Sequence, residues 1–142
     1  NDRKIVIIGP KDERDNIEKQ LKYSNLFEMD NITNSNSYTD NDYRKYDLVI
    51  LALTGQDFEI LDEDQSKILQ NTLRIVGDPP TTKQLIKEDK PVVGVIVLCP
   101  VNSLKGENAI AFRRPFTVVV NQPGRMMTDI FSLLTTLPTT KS

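Results

Sequence analysis

Three runs constrain this chain more than any other feature: Lys4-Ile5-Val6-Ile7-Ile8, Tyr46-Asp47-Leu48-Val49-Ile50-Leu51-Ala52-Leu53 and Pro91-Val92-Val93-Gly94-Val95-Ile96-Val97-Leu98. Each is of strand length, and each is apolar on consecutive positions rather than alternate ones. A strand that is apolar on both faces must be covered on both faces. That is the condition of a parallel sheet held between two layers of helix. Each run also ends on a break: Gly9-Pro10, Thr54-Gly55 and Cys99-Pro100.

Helical spacing fills the intervals. Asp12 to Tyr23 carries Ile17 and Leu21 on one face, and Asp12 and Glu13 suit a helix N-terminus. Asp62 to Val76 carries Ile68, Leu69, Leu73 and Val76, and Gly77-Asp78-Pro79-Pro80 stops it. Arg125 to Leu137 carries Met126, Ile130, Leu133, Leu134 and Leu137 on one stripe before Pro138. Leu26-Phe27-Glu28-Met29 alternates weakly and is expected as a short second strand. The Asn-rich stretch from Asp30 to Asp42 cannot bury a face and is expected as a loop. Thr81 to Lys90 is a charged connection, and Asn102 to Asn108 is too short and polar for a long helix. Ala109 to Val120 is expected to hold one or two strand pieces around Arg113-Arg114-Pro115. This alternation predicts an α/β three-layer sandwich with a five-stranded, mainly parallel sheet, right-handed crossovers and a flavodoxin-like strand order 2-1-3-4-5.

The chain has 142 residues, 38% hydrophobic and 27% charged, with a net charge of −2. Residues 1–142 are expected to form a single domain. The abrupt start on Asn1-Asp2-Arg3 and the polar tail Thr139-Thr140-Lys141-Ser142 read as those of a piece excised from a longer protein. The charge gives no electrostatic reason to expect nucleic acid or a membrane as partner. The single cysteine, Cys99, cannot form an internal disulfide and favours a reducing, cytoplasmic setting. The chain has no histidine, which removes imidazole catalysis and histidine metal ligation.

In an open α/β sheet, ligands sit at the carboxyl ends of the strands. After the first strand, Gly9-Pro10-Lys11-Asp12-Glu13-Arg14-Asp15 has one glycine and no GK[ST], and its proline stands where a phosphate loop needs an N–H. After the next long strand, Ala52 offers no oxygen for phosphoryl transfer or Mg²⁺, and Asp57 is displaced into the turn. Cys99, between Leu98 and Pro100, reads as a buried and inert thiol. Arg113 and Arg114, placed after the fifth strand, suit a carboxylate or phosphate, or surface solvation. The acids Asp57, Glu59, Asp62, Glu63 and Asp64 lack calcium-loop spacing and read as a solvated helix start. Met126-Met127 reads as core plus rim. No catalytic residue, metal ligand or cofactor is assigned. An enzyme on this chain would have to draw on Asp57 or Cys99.

These strand ends resemble the phosphoacceptor receiver domain of two-component signalling. KIVIIGPKDERDNIEKQL resembles its first strand, acidic turn and first helix. YDLVILAL resembles the strand ending on the phosphorylated aspartate. PVVGVIVLCP resembles the strand ending on a hydroxyl residue, and RRPF the Lys-Pro-Phe that follows the fifth strand. The resemblance places the acidic pair at Gly9 and Pro10, the phosphoacceptor at Ala52, the hydroxyl at Cys99 and the lysine at Arg114. Pro115 and Phe116 match. Ala111 stands where the family's switch aromatic usually lies. The stretch from Cys99 to Arg114 is short for a full fourth helix, and Thr117 to Val120 is strand-like where the family starts its last helix.

The resemblance implies a degenerate receiver that takes no phosphoryl group and acts on a protein partner or on neighbouring domains of its own chain. Arg113, Arg114, Phe116 and Arg125 are its expected partner-binding residues. A second resemblance competes. Gly9-Pro10-Lys11 is similar to a decayed phosphate loop. Thr117-Val118-Val119-Val120-Asn121-Gln122 resembles the strand and guanine-reading Asn-Lys motif of small GTPases, which implies a pseudo-GTPase.

Overall fold

The computed structural model describes residues 3–35, 43–53, 61–77, 92–100, 104–121 and 123–137. The elements run β1 (Ile5–Ile8), α1 (Lys11–Ser24), β2 (Ile32–Ser35), β3 (Leu48–Ala52), α2 (Glu63–Val76), β4 (Gly94–Leu98), α3 (Ile110–Arg113), β5 (Thr117–Val120) and α4 (Met126–Thr136). The strands form one sheet in the order β2-β1-β3-β4-β5. Every pairing is parallel: Ile5 aligns with Ile32 and Leu48, Leu48 with Gly94, and Val95 with Thr117. This is the α/β three-layer, flavodoxin-like arrangement expected from the alternation of strands and helices.

The consecutive apolar runs have a direct cause. Ile5, Ile7, Leu48 and Ile50 point to one face, where Ile17 and Leu21 of α1 and Ile130, Leu133 and Leu134 of α4 pack. Val6, Ile8, Val49 and Leu51 point to the other, under Leu69 and Leu73 of α2 and Ala111 of α3. With both faces covered, all residues of β1, β3 and β4 are buried. Gly94 lets α4 sit close to β4, because a Cβ there would lie 3.0 Å from Cδ2 of Leu133.

Three expectations about elements need correction. The second strand is Ile32–Ser35, inside the stretch expected as a loop, and Leu26–Glu28 is irregular. Its partner is β1, which supplies the backbone hydrogen bonds, so an edge strand of this kind needs no apolar alternation. Residues 110–113 form a helical turn rather than a strand piece. The fifth strand is Thr117–Val120, so Arg113 and Arg114 precede it instead of following it. Residues 36–42, Thr54-Gly55, Asp57, Glu59, the stop at Asp78-Pro79-Pro80, Thr81 to Lys90, Asn102-Ser103, Gln122 and Pro138 lie outside the described residues. No described helix is long and apolar enough to cross a membrane.

Candidate functional site

Because all five strands run the same way, their carboxyl ends share one edge of the sheet. That edge gathers Gly9 and Pro10 after β1, Ala52 at the end of β3, Cys99 after β4 and Asn121 after β5. The first two positions are fixed by contact. Gly9 has φ +144°, and a Cβ placed on it would stand 2.2 Å from the backbone O of Ala52. The ends of β1 and β3 therefore meet backbone to backbone, with no space between them for a side chain on residue 9. Pro10 is the N-cap of α1 and makes no side-chain capping bond. With no N–H on Pro10 and Asp12 and Glu13 in the first turn, this helix start does not suit an anion.

The carbonyl of Gly9 accepts from Arg14 Nε at 2.7 Å. The same guanidinium donates to the Asn34 side-chain oxygen on β2. The Asn34 amide donates to Asp15 at 3.0 Å and to Glu18 at 3.3 Å. Hydrogen bonds from the Lys11 ammonium and then from Asn34 hold the Asp15 carboxyl below its usual range. In turn, Asp15 raises the Lys11 ammonium. Lys11 pairs with Asp15, and Arg14, Asp15 and Glu18 all engage Asn34, which ties α1 to the edge strand.

Cys99 is fully buried, and its N–H donates to the Val120 carbonyl at 3.2 Å. Burial pushes its thiol up to about 12, so it stays a neutral S–H. The start of α2 is closed by its own side chains. Asp62 accepts from the Gln65 N–H at 2.8 Å, and the Gln65 side-chain oxygen accepts from the Asp62 N–H at 2.9 Å. The spacing Asp62-x-x-Gln65 is a capping-box signature, legible in the sequence, that the acidic-cluster reading passes over. Gln65 also donates to the Leu53 carbonyl beyond β3. Among the described residues, no three Cys, Asp or Glu side chains are grouped as a metal ion would require.

Arg114 lies elsewhere. It sits at the amino edge, before β5, and is only 6% exposed. Its Nε donates to the Gly77 carbonyl at 2.7 Å, one terminal nitrogen to the Val93 carbonyl at 2.8 Å, and the other to Thr117 Oγ1 at 3.0 Å and the Pro115 carbonyl at 3.2 Å. It is a buried clamp joining the end of α2 to the starts of β4 and β5. The placement of a lysine equivalent beside Gly9, Ala52 and Cys99 is thereby corrected.

The four expected partner-binding residues also separate. Arg113 is exposed at the amino side of β5, and Arg125 is exposed beyond its carboxyl side. Phe116 is half-buried against the α1/α4 core with φ +56°. Asp47, at the amino edge, accepts from the Lys4 N–H at 2.8 Å. Met126 is buried and Met127 partly buried, as core plus rim requires.

Comparison of the chain with family models, with curated proteins and with solved structures finds no match.

Proposed function

We propose that this domain is a non-catalytic, receiver-like α/β module that takes no phosphoryl group and works by binding a protein partner or neighbouring domains within a signalling protein. One observation carries the reading. Among the described residues, the strand ends where such folds do their chemistry offer no reactive side chain: Gly9 stands against Ala52 with no room for a Cβ, and Cys99 is a buried, neutral thiol. A domain with that edge retains its faces as means of action. The single cysteine, buried and unpaired, agrees with a cytoplasmic setting.

Beryllofluoride with Mg²⁺, added to the ¹⁵N-labelled chain, tests this. The amides of Gly9, Ala52 and Cys99 are expected to stay in place. Saturable, Mg²⁺-dependent shifts around Ala52 would overturn the reading.

A specific observation favours the pseudo-GTPase as a second reading. Thr117–Val120 is β5, and Asn121 follows it on the same edge as Gly9, whereas Arg114 is on the opposite edge. The two features of that resemblance thus share one side of the sheet, while the receiver resemblance loses its cation. GDP at millimolar concentration separates the two. Shifts confined to the surroundings of Asn121 support the second reading, and an unchanged spectrum removes it.

A further inference from the structure

The stretch between β4 and β5 is short, and its described helical residues are a 3₁₀ turn, Gly106–Ala109, that runs into the single α-helical turn of α3. It packs on the same sheet face as the 14-residue α2. Between the two helices lies an open cleft of about 490 Å³. Ile110, half-buried, supplies apolar lining, and Leu73 beneath it is buried in the core. Arg74 on α2 and Arg113 on α3 bring a guanidinium from either wall, against one carboxylate, Glu107, among the described residues. Arg74 donates to the Asn71 side chain at 2.6 Å. Neither arginine is ion-paired among the described residues. The residues next to them in sequence, Ile75 and Phe112, are large, apolar and exposed at 42% and 56%. Among the described residues that line the cleft, on a chain whose net charge is −2, positive charge is thus in excess.

We propose that this cleft docks an acidic linear segment of a partner protein. A leucine or phenylalanine of that segment would pack on Ile110, and its carboxylates would pair with Arg74 and Arg113. The inference rests on the reading of the domain as an interaction module and names the chemistry of its partner. Charge complementarity selects an acidic ligand over a basic one. The apolar lining selects a peptide over a bare anion, since a lone anion gains nothing from Ile110.

Two capped peptides test it on the ¹⁵N-labelled chain. One carries Glu and Asp around a Leu-Phe pair, and the other has every acid replaced by lysine. The acidic peptide is expected to shift the amides of α2 from Gln70 onward and those from Glu107 to Arg113, saturably and less so in high salt. Arg74→Glu and Arg113→Glu, both at exposed positions, are each expected to weaken it about tenfold. Lys19→Glu makes the same charge change on α1, across the sheet, and should leave binding unaltered. Equal binding of both peptides, binding of neither, or wild-type affinity in the two arginine variants overturns the proposal. Silence towards beryllofluoride together with a failed peptide removes the cleft alone. A beryllofluoride response removes the functional reading whatever the peptides do.

Discussion

Gly9 and Ala52 touch through their backbones: residue 9 has no room for a Cβ, which would fall 2.2 Å from the Ala52 carbonyl oxygen. The obstacle is backbone in the buried strand β3, so it cannot swing aside as a flexible side chain would. The φ of +144° adds strain for any L-residue. Gly9→Ala is therefore expected to cost about 2–4 kcal/mol. Gly9→Asp, which places an acid at this strand end, should be at least as damaging. Urea unfolding midpoints of the two variants against wild type measure this directly.

Arg114 carries a second prediction. Its buried guanidinium serves four oxygens from residues 77, 93, 115 and 117 in one planar fork. Lysine keeps the charge but cannot reach several carbonyls in those directions, so Arg114→Lys is expected to lose about 2–3 kcal/mol. Arg114→Ala leaves those carbonyls unpaired and should lose about 3–5 kcal/mol. A pure surface arginine would lose almost nothing. Arg113→Ala, one residue away and exposed, is the internal control in the same denaturation series.

The contrast between these neighbours shows where the sequence stops being informative. β1, β3 and β4 are legible because a doubly covered strand writes its burial into consecutive side chains. The three long helices are legible through their spacing. β2 is not, because Ile32-Thr33-Asn34-Ser35 is half-buried throughout and is held by backbone pairing to β1. Asn34 looks like loop composition until Arg14, Asp15 and Glu18 surround it. Arg114 is indistinguishable from Arg113 in the string, since the carbonyls that bury it come from positions 37 and 21 residues away. The closed edge at Gly9 is half legible. The missing acids can be read, whereas the contact that shuts the space needs the register of β1 against β3.

Thr72 gives a prediction of opposite sign. It lies on α2, fully buried, and its hydroxyl oxygen has no hydrogen-bond partner among the described residues. Desolvating a hydroxyl without compensation costs about 1–3 kcal/mol. Valine has nearly the same shape and no polar atom to desolvate. Thr72→Val is expected to stabilise the fold by about 1 kcal/mol, raising the midpoint of thermal or urea unfolding. A loss of stability would mean that the hydroxyl has a role in this helix that its surroundings do not reveal.

Cys99 ties stability to pH. Its ordinary value of 9.0 is pushed up to about 12 by burial beneath the β4 carboxyl end. An acid whose folded value is raised ionises first in the unfolded chain, so alkaline pH favours unfolding. The contribution is constant below about pH 8, begins to be lost as pH rises through 9, and continues to fall towards 12. Cys99→Ala should remove this component while leaving the rest of the alkaline profile intact, which chemical denaturation at pH 7.5, 9 and 10 would resolve in about three matched pairs of curves. Iodoacetamide gives an independent readout. Alkylation of the native chain at pH 8 should be far slower than in urea, because the thiolate forms only where water reaches the sulfur. Fast labelling of the folded chain would show that solvent reaches the thiol and would overturn this account of Cys99.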